Sequence, residues 1–102
     1  MTDRIAICHS MKDTLLSEFP ILPPQSIACN CDQRFDSFPS VRLVFPVGCE
    51  WSVADIDFMA DCIEVEFDTE YGVQRRFDYA DPRCIEELLE YMRVALCQKR
   101  QI

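Results

Sequence analysis

The stretch from Glu50 to Gln74 carries the densest group of side chains that could do chemistry. It contains eight carboxylates and no Lys, Arg or His, and the net charge of the whole chain is −8. Carboxylate oxygens can hold a divalent cation or attract a basic partner. The spacing of Asp55, Asp57 and Asp61 lacks the glycine and terminal glutamate of an EF-hand loop, so no metal site is predicted. The eight acids are Glu50, Asp55, Asp57, Asp61, Glu64, Glu66, Asp68 and Glu70.

Thiols form the second group of potentially reactive side chains. The chain has seven cysteines, of which Cys29 and Cys31 flank one residue and Cys8 adjoins the only histidine, His9. An odd number of cysteines argues against a disulfide framework. Zinc sites use two pairs of ligands, and the two cysteines of a pair are farther apart in sequence than Cys29 and Cys31. Thioredoxin-like redox motifs also place their two cysteines farther apart. A thiol-dependent or zinc-binding protein that uses Cys29 and Cys31 is therefore an alternative rather than the main hypothesis.

Catalytic signatures are missing from the sequence. His9 falls within an apparent helix, where its neighbour Cys8 would point elsewhere. Gly48 and Gly72 are the only glycines, which excludes a glycine-rich phosphate loop. We therefore predict no catalytic residues, no cofactor and no enzymatic activity.

The two ends of the chain have helical patterns. At the N-terminus, apolar residues recur every three or four positions until Pro20 stops the helix. An alternative is a short strand Arg4–Cys8 followed by a helix from Ser10. At the C-terminus, Asp81 is predicted to cap a second helix, with Pro82 at its first position. The N-terminal apolar positions are Ile5, Cys8, Met11, Leu15 and Phe19.

Strand patterns fill the middle of the chain. Val41–Val47, Cys62–Phe67 and Val73–Tyr79 alternate apolar with polar residues, which is typical of half-buried strands. Asp68–Gly72 has the length of a hairpin loop between the last two. Cys49–Asp61 is ambiguous between a strand and a helix. Residues 20–40 are rich in proline and look irregular, although a short strand or helical turn near Ser26–Cys29 is compatible with them.

These elements predict one compact α+β domain that spans residues 1–102. We expect an N-terminal helix, an antiparallel meander of three to four strands, and a C-terminal helix packed on one sheet face. Both helices should cover the same face, so that the other face meets water or a partner.

The charge balance restricts the kind of partner. An acidic chain is disfavoured as a direct ligand of nucleic acid or of an anionic membrane, and a basic protein is favoured. The sequence has no apolar run long enough to cross a membrane and no basic-then-apolar leader pattern, so a cytoplasmic location is expected.

The size of the chain, its acidic block and its lack of a catalytic set resemble those of bacterial immunity proteins, antitoxins and phage-encoded inhibitors. This resemblance implies an inhibitor that blocks a basic nuclease or toxin by occlusion. The alternative for the acidic block is a solvated face that prevents edge pairing. The predicted partner-binding residues are Asp55, Asp57, Asp61, Glu64, Glu66, Asp68 and Glu70, with Trp51 and Tyr71 as aromatic anchors.

A second functional hypothesis is a chaperone or adaptor protein. Such a protein would form a homodimer, with an exposed sheet face or the terminal helix packed on another chain. It predicts an apolar patch and a dimer in solution.

Overall fold

The computed structural model describes residues 4–30, 38–68 and 73–97 of the chain. Helix α1 spans Arg4–Glu18, and a 3-10 turn at Pro24–Ser26 leads into strand β1. None of the described helices has the length and apolar character needed to cross a membrane. The strands are β1 (Ile27–Asn30), β2 (Ser40–Val44), β3 (Val53–Phe58), β4 (Cys62–Phe67) and β5 (Val73–Asp78), and helix α2 spans Cys84–Cys97.

The five strands form one antiparallel sheet in sequence order, each paired with the next. The α+β class, the terminal helices and the antiparallel meander are therefore confirmed. The predicted count of three to four strands is wrong, because β1 adds a fifth. This strand has only four residues and follows two prolines, so the sequence indicates it only as an alternative near Ser26–Cys29, and the strand is fixed by pairing Ile27 with Leu43 of β2.

The core lies between one face of the sheet and the two helices. We call this the inner face and the opposite one the outer face. Val41, Ile56 and Val65 align across three neighbouring strands on the inner face, and all are fully buried. Helix α1 packs on β1 and β2, whereas α2 packs on β5 at the other side of the sheet. Burial of this apolar surface is the main stabilising term, at roughly 25 cal/mol per Å².

The buried stripe of each helix follows a helical spacing, although the predicted apolar position Ile5 of α1 is exposed. In α1, Cys8, Met11 and Leu15 form the buried stripe, and the helix ends at Glu18 before Pro20. In α2, the equivalent stripe is Cys84, Leu88, Met92 and Ala95. The Asp81 carboxylate accepts a hydrogen bond of 2.8 Å from the Arg83 amide in the turn that leads into α2, whereas the helix itself begins at Cys84, two residues after the predicted first position Pro82.

Two backbone positions close the turns beside the acidic strands. Gly48, in the connection between β2 and β3, has a φ of 98°, which strongly favours glycine. Asp68 follows β4 and also lies in the left-handed region, with a φ of 43°. Its carboxylate accepts hydrogen bonds from the amides of Ser52 (2.9 Å) and Val53 (2.8 Å), so Asp68 anchors the start of β3 to the end of β4.

This role of Asp68 predicts a large difference between two substitutions. Asp68→Ala removes the acceptor of two hydrogen bonds. It also leaves at positive φ an alanine, whose side chain cannot make the local hydrogen bond that offsets the strain of this conformation. We therefore expect the free energy of unfolding to fall by about 2–3 kcal/mol. Asp68→Asn keeps an oxygen acceptor and tolerates this backbone conformation, so its loss should be less than half as large. Urea denaturation of both variants measures this; equal stabilities for Ala and Asn would contradict it.

Candidate functional site

Four acids form a cluster at the centre of the outer face. Alternation along β3 and β4 places Asp55 and Asp57, and Glu64 and Glu66, on this face while their neighbours enter the core. Register sets Asp55 opposite Glu66 and Asp57 opposite Glu64. Side chains directly opposite on antiparallel strands have Cβ atoms about 4.5–5.5 Å apart, and like charges there destabilise the sheet. We call these four residues the carboxylate cluster.

Two arginines neutralise half of the carboxylate cluster. Arg42 of β2 makes two hydrogen bonds to Asp55, from Nε to Oδ1 at 2.9 Å and from Nη2 to Oδ2 at 3.3 Å. Arg76 of β5 donates from Nε to Oε2 of Glu64 at 2.6 Å. These hydrogen bonds, together with the carboxylate charges, raise the pKa of both arginines. The guanidinium groups therefore stand on either side of the cluster as fixed positive charges.

The other two carboxylates remain without such compensation. Within the described ranges no basic side chain forms an ion pair with Asp57 or Glu66, which lie diagonally across the cluster. Partial burial, followed by the charges of Glu66, Asp55 and Glu64, raises the pKa of Asp57 from 3.8 to about 6, against the opposing effect of Arg42. The cluster is thus an electrostatically strained site that a positive charge would relieve.

Two further predicted residues lie at opposite ends of β4. Asp61 is exposed in the turn before this strand, where it adds negative charge near Cys62. Asp68 lies after the strand, and its carboxylate is engaged by the Ser52 and Val53 amides. Asp61 can therefore extend the acidic surface, whereas the hydrogen bonds of Asp68 serve the fold.

Trp51, one of the two predicted aromatic anchors, does not join the carboxylate cluster. Trp51 stacks on Phe67, with ring centroids 4.9 Å apart, and borders a cleft formed with Tyr91 of α2. Because Phe67 is an inner-face residue, Trp51 belongs to the helix-covered side of the sheet. Glu70 and Tyr71 lie outside the described residues, so the structure does not place them.

Sequence reasoning missed four outer-face residues around the cluster. Arg42 and Arg76 were recognisable as polar positions in strands, but their pairing with specific acids required the strand register. Val44 and Val53 lie opposite each other on β2 and β3, and Val44 is 49% exposed. Val44 could have been found from the sequence, because it is an apolar residue at a position where the strand alternation predicts a polar one. Val44 and Val53 together give the outer face a small apolar area beside its charged residues.

Metal coordination receives no support from the described part of the chain. No group of three or more His, Cys, Asp or Glu side chains there is arranged to hold a metal ion, even at the carboxylate cluster. Cys31 lies outside the described residues. Cys29, its predicted partner, contacts Cys8 of α1, with 3.0 Å between the two sulfur atoms.

Comparisons with protein-family models, curated proteins and solved structures found no match to this chain.

The raised pKa of Asp57 predicts an unusual pH dependence of stability. Because the folded state binds this proton more tightly than the unfolded state, the contribution of Asp57 to the free energy of unfolding falls as pH rises from about 4 to about 6. Asp57→Asn should therefore be more stable than the wild type at pH 7.5, by about 1–2 kcal/mol after allowance for solvent screening, and nearly equal to it at pH 4. Urea denaturation at the two pH values tests this, and a variant that is no more stable at pH 7.5 would contradict it.

Proposed function

We propose that this chain is a small binding protein whose outer sheet face docks on a basic protein and blocks it by occlusion. The observation that supports this most is that Asp57 and Glu66, at the centre of the sheet, have no ion-pair partner among the described residues. A Lys or Arg from a partner would relieve the repulsion between these carboxylates, so binding would gain energy that the free protein lacks. A basic nuclease or nuclease toxin is the partner class that fits best, because its active site binds the phosphates of its substrate.

The rigidity of the surface favours a specific complex. The four carboxylates project from the paired strands β3 and β4, in which every second residue faces outward. Strand β2 pairs with β3 and strand β5 pairs with β4, so the backbone that carries the carboxylates is held on both sides. A preformed surface loses little conformational entropy on binding. Fixed carboxylates can occupy the positions where a basic enzyme holds the phosphates of its substrate, which would exclude the substrate without any chemical step.

Arg42 and Arg76 would restrict the choice of partner. Each lies at the margin of the cluster and is well exposed, at 59% and 66% of the side chain, whereas their partners Asp55 and Glu64 are mostly covered. The surface of the partner must therefore offer positive charge toward Asp57 and Glu66 and must lack positive charge near the two guanidinium groups. Val44 and Val53 provide the adjacent apolar contact area.

The same charges argue against a homodimer through this face. A twofold interface sets the same patch of both copies against itself. The carboxylate cluster would then oppose its own copy at the interface. A dimeric adaptor would have to use another surface, and we do not favour that function.

A charge-reversal experiment tests the proposed docking. The chain serves as bait in lysate of its source, and the captured basic protein is purified and titrated against it by calorimetry. The double variant Asp57→Lys and Glu66→Lys should weaken binding by at least about 100-fold, which corresponds to about 2.8 kcal/mol. If the partner is a nuclease, the same variant should fail to inhibit it.

A control of equal charge separates specific docking from general attraction. Asp13 on α1 and Glu50 in the β2–β3 connection are both exposed and lie outside the cluster. Asp13→Lys with Glu50→Lys changes the net charge by the same amount as the test variant, and should bind within a few-fold of the wild type. Equal losses in both double variants, or no loss in the test variant, would overturn the proposal. Circular dichroism confirms that both variants are folded.

A further inference from the structure

Two cysteines that are distant in sequence meet where α1 packs on the edge strand β1. The Sγ atoms of Cys8 and Cys29 are 3.0 Å apart, although 21 positions separate these residues. A disulfide bond is about 2.05 Å long, so the two sulfur atoms need to approach by only about 1 Å to become bonded. The contact is on the inner side of the sheet, so it is independent of the carboxylate cluster.

The two thiols differ in their access to solvent. Cys8 is fully buried, and its thiol donates to the carbonyl oxygen of Ser40 at 3.3 Å. Cys29 is partly exposed, and its Sγ lies 3.9 Å from Nδ1 of His9, which is itself exposed. An oxidant from solvent would therefore reach Cys29 first, with an imidazole nitrogen placed to accept the thiol proton.

We propose that Cys8 and Cys29 are a thiol pair that a hydroperoxide oxidises to an intramolecular disulfide. The sulfur of Cys29, after transfer of its proton to His9, attacks the terminal peroxide oxygen. The O–O bond breaks, the departing alkoxide or hydroxide takes the proton held by His9 and leaves as an alcohol or water, and Cys29 becomes a sulfenic acid. The sulfur of Cys8 then attacks that of Cys29, the S–O bond breaks, and the hydroxide leaves as water with the Cys8 proton. The two thiols lose two electrons in total, and the peroxide gains them.

Other described cysteines are less suited to this reaction. Burial, followed by the charge of Glu64, raises the pKa of Cys62. Burial, followed by the charge of Asp81, raises the pKa of Cys84. Both effects disfavour the reactive thiolate. Cys49 is buried, with its Sγ directed at the Leu96 carbonyl oxygen, 3.6 Å away. The exposed Cys97 could form bonds between molecules, so it is the competing site that an experiment must separate.

Peptide mapping after treatment with hydrogen peroxide tests the proposal. The reduced protein is oxidised with a few equivalents of hydrogen peroxide, remaining thiols are alkylated, and the chain is digested with trypsin without reduction. Cleavage after Arg4, Lys12 and Arg34 puts Cys8 in the peptide 5–12 and both Cys29 and Cys31 in the peptide 13–34. The expected main product is the disulfide-linked pair of these peptides in a monomeric protein.

Matched variants identify which thiols react. Cys31→Ser and Cys97→Ser should give the same linked peptides, whereas Cys8→Ala and Cys29→Ser should not. The proposal is overturned if Cys29 pairs with Cys31, or if folded Cys31→Ser carries a sulfinic acid at Cys29 beside an unmodified Cys8. Disulfide-linked dimers that disappear in Cys97→Ser, without the internal link, would also overturn it.

A separate measurement tests the part played by His9. His9→Ala should slow the loss of the Cys29 thiol to hydrogen peroxide severalfold at neutral pH, with an unchanged unfolding midpoint, and added imidazole should restore the rate. Ser10→Ala, which changes the next exposed position of the helix, should react at the wild-type rate. An unchanged rate in His9→Ala would remove His9 from the proposal.

Discussion

The register between β3 and β4 is the constraint on which the rest of the structure depends. It aligns Ile56 with Val65 in the core, and it simultaneously sets Asp55 against Glu66 and Asp57 against Glu64 outside. A slip of one residue would expose the apolar set and bury the acids. The hydrophobic effect therefore holds together four carboxylates that repel one another. The repulsion stays small enough to tolerate because Arg42 and Arg76 pair with two of them.

Much of this arrangement could be predicted from local sequence. The 3.6-residue spacing of Cys8, Met11 and Leu15 predicts α1, and the Asp81 cap predicts the start of α2. The strict alternation within Cys62–Phe67 predicts both the strand and the outward direction of Glu64 and Glu66. Each of these signals is short-range and has a single physical cause, such as a cap or a hydrophobic period. The class of the fold and the existence of an acidic face follow from them.

The remaining features depend on contacts between residues that are far apart in sequence. The pairing of Arg42 with Asp55 follows from strand register, and the contact between Cys8 and Cys29 follows from how α1 lies on β1. The position of Trp51 within the acidic block predicts an interface anchor, but stacking on Phe67 places Trp51 on the helix side of the sheet. Charge alone groups Asp68 with the binding acids, although backbone amides engage its carboxylate. Composition cannot distinguish these outcomes.

Carboxyl titration by ¹³C NMR tests most directly whether a positively charged partner binds at the carboxylate cluster. The side-chain carboxyl shifts of the cluster are followed against pH in the free chain and in its complex with the captured basic protein. Asp57 should titrate near pH 6 when free, and its midpoint should fall toward the ordinary value of 3.8 when bound, because the partner supplies positive charge. An ordinary midpoint in the free protein, or one that the complex leaves unchanged, would contradict the account.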